Sequence, residues 1–175
     1  MIKSIPQPGK MWHVIYTRSR AEKKVFEELT RKNIECFLPL QKKLRQWKDR
    51  KKWVEMPLIS GYCFVNISRK DYDHVLQTMH VVNYVTFEGK AAVIPGEQIQ
   101  VLKELNSRFE VEVNVSDKNF IPGEKVEIIA GPLMGIKGEL TGIRSKNRFV
   151  IRIDQINTAF SVELSSEMLS YFANS

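Results

Sequence analysis

The sequence predicts an α+β protein in two parts: three helices on a four-stranded sheet, followed by a small all-β barrel. Three observations predict it. Between residues 11 and 107, β-branched and aromatic runs alternate with stretches whose apolar positions recur at helical spacing. From Pro122 onward that spacing stops, and short alternating runs are punctuated by Gly, Pro and Asn. The charge divides at the same place. Residues 1–107 carry 19 Lys/Arg against 11 Asp/Glu and residues 108–175 carry 8 against 9, within a chain of formal charge +7.

Residues 1–10 have no apolar core and read as a flexible lead-in. Met11–Thr17, MWHVIYT, suits a pleated surface, with Trp12, Val14 and Tyr16 on one face and His13, Ile15 and Thr17 on the other. Ser19 and Glu22 have capping-box spacing, and Ala21, Val25, Phe26 and Leu29 follow at helical spacing, so a helix is expected from Ser19. Arg18, Arg20, Lys23 and Lys24 crowd that helix start, where cations oppose the helix dipole.

Glu35–Leu40 reads as a strand leading into QKKLRQWKDRKKW, residues 41–53, in which seven of thirteen residues are Lys or Arg. Lys48–Lys51 reads as a turn between that strand and a second run, Trp53–Ile67. Leu44, Trp47 and Trp53 give the two arms something to pack, which favours an ordered cationic hairpin over a disordered tail. Ser68 with Asp71 opens a second helix carrying Tyr72, Val75, Leu76 and Met79. Val81–Phe87 is a strand, Glu88–Lys90 a turn and Ala91–Ile94 a short strand. A third helix follows Pro95 with Ile99, Leu102 and Leu105 along one face. Phe109–Phe120 reads mostly as linker. Strands are expected at Lys125–Ile129, Lys137–Ile143, Phe149–Ile153 and Ala159–Leu164.

Several classes are set aside. No apolar run approaches the roughly 20 residues that span a bilayer, so no membrane segment is expected. Cys36 and Cys63 sit in apolar runs, which favours buried free thiols in a reducing compartment over a disulfide. His13, His74 and His80 are scattered, no phosphate loop or nucleophile elbow is present, and neither a metal, a cofactor nor an enzyme is expected. In GYCFVNI both strand faces are apolar, so both need cover. Trp12, Tyr16, Tyr62 and Phe87 either line a partly open apolar concavity or belong to the ordinary core, and periodicity alone favours the core.

In order, the segments WHVIYTRSRAEKKV, ECFLPL, PLISGYCFV, VVNYVTF and GEKVEIIAGPLMGIKGEL resemble the NusG transcription-elongation family, from about residue 11 to 170. In LRQWKDRKKWVEMPL, with SGYCFV and IECFLPL, the chain resembles specialised members of the RfaH and UpxY type more than housekeeping NusG. Ile59 and Ser60 stand where the family often has an aromatic and a proline. The resemblance implies a polymerase-binding NGN domain at 11–107 on an antiparallel sheet, a linker at 108–120 and an SH3-like KOW barrel at 121–175. It implies a monomeric cytoplasmic factor that grips the clamp helices of RNA polymerase and suppresses pausing and termination, with capsular polysaccharide operons as the target class; the alternatives are a general housekeeping elongation factor or a KOW-type RNA-binding protein.

By the same resemblance, Tyr16, Ile59, Tyr62, Phe87, Ile99 and Leu102 match the polymerase-contacting surface. Arg18, Arg20 and Lys24, with the hairpin cations Lys48, Arg50, Lys51 and Lys52, would face the non-template DNA strand. Leu133, Met134 and Ile136 would meet a ribosomal small-subunit protein or the termination factor Rho. The refolded helical C-terminus of RfaH is not expected, because Val, Ile and Phe alternate and glycines interrupt.

Overall fold

A computed structural model describes residues 9–107, 114–116, 123–128, 137–143, 146–153, 158–163 and 169–171. The chain divides into two compact units, Met1–Leu40 with Glu55–Ile99, and Gln41–Val54 with Gln100–Ser175.

The first unit is organised by β1 (Met11–Thr17), the centre of an antiparallel sheet. β5 (Tyr62–Ile67) pairs along one side of it, from Met11 opposite Ile67 to Tyr16 opposite Tyr62. β6 (Val81–Tyr84) and the short β9 (Val93–Ile94) pair along β1 as well, and β2 (Glu35–Phe37) pairs with β5. The expected four-stranded sheet thus has a fifth strand, because Ala91–Ile94 is not one strand. Its first residue pairs in a small ribbon, β7 (Thr86–Phe87) with β8 (Lys90–Ala91), and its end returns to β1. The ribbon turns at Glu88 and Gly89, both left-handed at φ +51° and +76°, a geometry that suits the twist of a two-residue hairpin loop.

α1 (Glu22–Arg31) and α2 (Tyr72–Leu76) cover one sheet face. Val25, Leu29 and Val75 meet Ile15, Cys63, Val65, Ile67 and Tyr84 in one apolar cluster. Truncating a side chain such as Leu29 in such a core typically costs about 2–5 kcal/mol. α1 ends on Asn33, whose φ of +58° and N–H bond to the Thr30 carbonyl, with Ile34 N–H on the Leu29 carbonyl, form a Schellman stop. The expected Ser68–Asp71 cap is present: the Ser68 hydroxyl donates to Asp71 Oδ2 at 2.7 Å and its N–H at 3.1 Å, opening a 3-10 turn (Arg69–Asp71) that runs into α2. Those two bonds hold the Asp71 carboxyl below the usual carboxylate range.

Further expectations on element bounds are corrected. Val81–Phe87 breaks at Val85 into β6 and β7, and α2 ends at Leu76, short of Met79. α1 starts at Glu22 rather than Ser19, and the Ser19–Glu22 capping box does not form, because the Glu22 carboxylate is taken by a tertiary partner. Glu35–Leu40 breaks after Phe37, ahead of Pro39, and a separate strand β3 (Leu40–Gln46) begins. Trp53–Ile67 is likewise two strands, β4 (Lys51–Pro57) and β5, separated by Leu58–Gly61.

β3 and β4 form a two-stranded antiparallel ribbon, so the ordered cationic hairpin is observed. Its apolar residues do not pack as expected. Leu44, Trp47 and Trp53 all remain exposed, since a two-stranded ribbon has no second layer on either face.

α3 (Gly96–Ser107) follows Pro95 as expected, with Ile99 and Leu102 buried. In the second unit, β10 (Asn114–Ser116), β11 (Glu124–Ile128), β12 (Lys137–Ile143), β13 (Lys146–Ile153), β14 (Thr158–Glu163) and β15 (Leu169–Tyr171) form an antiparallel sheet in the order β10-β14-β13-β12-β11-β15. β10 lies inside the stretch read as linker and pairs with β14. Among the described residues beyond Ser107 there are strands and no helix. Among the described residues, no helix is long and apolar enough to cross a membrane.

The helix side of the sheet holds a buried aromatic cluster. Tyr72 and Tyr84 stack at 3.9 Å, His13 packs edge-on to both, and His13 Nδ1 lies 3.0 Å from the Ala92 carbonyl. Burial holds the His13 pKa below its ordinary 6.5. The fold therefore favours the neutral ring, and that contribution is intact above pH 6.5 and lost as pH falls through the lowered value. Thermal unfolding is expected to show a larger drop in Tm from pH 7.5 to pH 5 for the wild type than for His13→Phe; equal drops would refute the assignment.

Candidate functional site

The site is built where β1 ends, α1 begins and the Leu58–Gly61 loop enters β5. β1 delivers Tyr16 and β5 delivers Tyr62 to the sheet face opposite α1 and α2, directly across from each other. Their rings lie 4.9 Å apart and tilted by 48°, and the Tyr62 hydroxyl donates to the Tyr16 hydroxyl at 3.3 Å. One pair further in, Val14 opposite Phe64 is fully buried, with Phe37 tilted against Phe64 at 6.0 Å. The face is therefore sealed along its middle and open at its end, where Tyr16 keeps 40 % of its surface in solvent. The two readings of these aromatics divide by position along the strand.

The open end is held by one buried carboxylate. Gly61 N–H donates to Glu22 Oε1 at 2.7 Å, and the Gly61 carbonyl accepts from Thr17 N–H at 2.8 Å. Gly61 has φ +82°, a conformation that costs L-residues roughly 1–2 kcal/mol and glycine little. This clamp ties the loop before Tyr62 to both the end of β1 and the first turn of α1. Glu22 is also an acid at a helix start, where the dipole favours it by about 0.3–1 kcal/mol.

Of the six expected polymerase-contacting residues, the structure brings Tyr16 and Tyr62 together. Phe87 stands on the β7–β8 ribbon, 44 % exposed, and makes no ring contact with the tyrosines among the described residues. Ile59, in the loop before Tyr62, is buried, as are Ile99 and Leu102 on α3. Spacing placed those three on the right elements without revealing that their side chains are covered.

The expected DNA-facing cations are all exposed. Arg18 and Arg20 lie in the turn between β1 and α1, and Lys24 is in the first turn of α1. Arg20 is left-handed at φ +62°, and Arg18 N–H bonds the carbonyl of His80, itself left-handed at φ +70°. Lys48, Arg50, Lys51 and Lys52 ring the hairpin turn, closed by Trp47 N–H on the Arg50 carbonyl at 2.8 Å. None of the seven makes an ion pair among the described residues; the pairs present are Lys23–Glu55 at 3.8 Å and Lys32–Glu28 at 3.7 Å. Leu133, Met134 and Ile136 lie outside the described residues.

The chemistry of the remaining groups is quiet. Cys36 and Cys63 are free, and burial pushes both thiols up, away from the thiolate that a nucleophile needs. A cavity of about 380 Å³ is lined by Lys32, Asn66, Ile67, Asp71 and His74 among others, and the Lys32 ammonium there is already bonded to Thr78 Oγ1 at 2.9 Å. Among the described residues, no group of three or more His, Cys, Asp or Glu could hold a metal ion.

Burial, and then the bond to Tyr16, push the Tyr62 hydroxyl up to about 12. The fold favours the neutral phenol, so this contribution is intact below pH 10 and lost as pH rises through 12. Glu22→Ala orphans the Gly61 N–H and is expected to cost about 1–3 kcal/mol in urea unfolding. The same variant should bring the Tyr62 absorbance titration down toward 10. A variant of wild-type stability and titration would show that the clamp does not set the loop.

Comparison with known proteins agrees on one family. The family model described as "NusG: Transcription termination factor nusG" matches residues 10–103, more than half of the chain. Among solved structures, "Domain interaction in Thermotoga maritima NusG" superposes with a TM-score of 0.52 at 21 % identity, covering 94 % of this chain and 98 % of that one, a likeness of fold. Two conformations of the "MjSpt4:Spt5 complex" also match, over 94 % of this chain and 100 % and 98 % of theirs, at 15 % and 16 % identity. Their TM-scores of 0.28 and 0.29 are too low to carry a fold argument. No curated protein matches the chain.

Proposed function

The chain belongs to the NusG family of transcription factors, and from that premise we propose that it docks on the clamp helices of RNA polymerase through the open end of its first sheet. The observation that carries this reading is the Tyr16–Tyr62 pair: two facing rings at the open end of a sheet face whose middle is buried, held by the Glu22–Gly61 clamp and left partly in solvent. A helix pair laid on an aromatic surface is an established mode of recognition, and tyrosines at the centre of such contacts commonly dominate the energy. Phe87 adds a second exposed ring. Ile59, Ile99 and Leu102 are buried and reach a partner only if whatever covers them moves.

Bound there, the factor lays Arg18, Arg20 and Lys24 toward the exposed non-template strand, with Lys48, Arg50, Lys51 and Lys52 reaching the DNA from the hairpin. Holding the clamp closed suppresses pausing and termination. The domain plan is an NGN domain at 11–107, a linker at 108–120 and an SH3-like KOW barrel at 121–175. The described strands of the last region supply an antiparallel sheet from which such a barrel is built. Leu133, Met134 and Ile136 are its contacts for a ribosomal small-subunit protein or Rho. The factor works in the cytoplasm as a monomer, and its role is operon-specific antitermination of the capsular polysaccharide type. In vitro transcription on a capsular-operon template and on an unrelated one separates that role from a general one: readthrough confined to the first supports it, and equal readthrough on both contradicts it.

Tyr62→Ala and Tyr16→Ala are expected to reduce polymerase capture about tenfold or more, while neutralising Lys48, Arg50, Lys51 and Lys52 together should leave capture by free polymerase largely intact and flatten the salt dependence of binding to DNA-containing elongation complexes, by up to about 0.7 per lost single-strand phosphate contact. Capture insensitive to both tyrosines would remove the basis of the docking reading.

A further inference from the structure

The hairpin has two chemically different faces. Two hydrogen bonds fix its register: Trp47 N–H on the Arg50 carbonyl at the turn, and Leu58 N–H on the Pro39 carbonyl at 2.7 Å at the base. Both belong to one pairing, in which Arg45 stands opposite Lys52 and Leu44 opposite Trp53. Because side chains alternate across a strand, Lys43, Arg45, Trp47, Arg50 and Lys52 share one face. Leu44, Trp53, Lys42, Gln46 and Lys51 share the other. The first face carries four cations and no carboxylate around an indole; the second centres on a cross-strand apolar pair. Residues 42–53 are all exposed, with Trp47 at 60 % and Trp53 at 64 %, so neither face is covered by the chain itself.

We propose that the Lys43–Arg45–Trp47–Arg50–Lys52 face binds a single strand of nucleic acid, its phosphates on the four cations and one base stacked on Trp47. Charge selects the occupant. An acid-free cationic strip suits a polyanion, and a flat ring among the cations adds what phosphate attraction alone does not need: a stacking platform that accepts any base. Arginine beside tryptophan strengthens the same site, because guanidinium planes also stack on bases. The proposal deepens the docking reading, on which it rests for placing the strand in an elongation complex. It names Trp47, Lys43 and Arg45 as further strand contacts beside the cations of the hairpin turn.

The test uses the full chain and a fluorescently labelled single-stranded oligonucleotide of mixed sequence, followed by anisotropy across a salt series. Trp47→Ala is expected to weaken binding by about fivefold or more, with Trp47→Phe recovering most of it because a ring remains. Neutralising Lys43, Arg45, Arg50 and Lys52 should flatten the salt slope, whereas Leu44→Ala and Trp53→Ala on the opposite face should change affinity by less than about twofold. In a Trp53→Phe background, saturating oligonucleotide should quench Trp47 emission. Equal losses from the two faces, or a Trp47→Ala variant that binds like wild type, would overturn the assignment. So would loss of polymerase capture without loss of oligonucleotide binding, which would mark the strip as a dock for an acidic protein. Capture by free polymerase in the same variants separates the proposals: an unaltered oligonucleotide affinity with a Tyr62→Ala defect in capture sinks this face and leaves the docking reading standing.

Discussion

One buried hydrogen bond organises the functional end of the first unit. The Glu22 carboxylate, in the first turn of α1, accepts from Gly61 and fixes the loop that turns into β5. The ladder of β1 with β5 sets Tyr62 opposite Tyr16, and the fixed loop anchors the strand start from which Tyr62 projects. A charge-assisted bond to a carboxylate is among the stronger hydrogen bonds available to a protein. Placing it between a helix start and a left-handed glycine lets a single interaction set helix, loop and strand together. The neighbouring Thr17 N–H to Gly61 carbonyl bond closes the arrangement from the β1 side.

The chain presents two surfaces of opposite character. The aromatic pair is rigid, backed by the fully buried Val14 and Phe64, and therefore loses little conformational freedom when a partner covers it. The hairpin is a bare two-stranded ribbon with no layer behind either face, a form that is marginal in isolation. Its cations keep it soluble and apart from like-charged copies, and its tryptophans are left available. The proposed docking uses the first as an apolar patch for a protein and the second as a cationic ribbon for a polyanion.

Much of the local grammar was legible in the sequence. The Ser68–Asp71 cap, the helix after Pro95, the Glu88–Gly89 turn and the ordered hairpin all depend on nearest neighbours, and each is observed. The Ser19–Glu22 capping box was misleading for a physical reason: a carboxylate near a helix start has local and tertiary partners to choose from, and the amide of Gly61, 39 residues away, wins. The strand break ahead of Pro39 is legible in the proline itself, which has no N–H to give a ladder. The fate of the aromatic face was not legible at all. Parity puts Val14, Tyr16, Tyr62 and Phe64 together, but only three-dimensional cover decides that the inner pair is sealed and the outer pair is open. The same holds for Ile59, Ile99 and Leu102, whose burial no spacing reveals.

The central claim is that a polymerase helix pair rests on Tyr16 and Tyr62. The most direct measurement replaces Tyr16 with a photo-crosslinking phenylalanine analogue, irradiates the full chain bound to an elongation complex, and maps the joined peptides. The expected product joins position 16 to the clamp helices of the polymerase. A product that joins position 16 only to other residues of this chain, or to no polymerase segment, would contradict the claim.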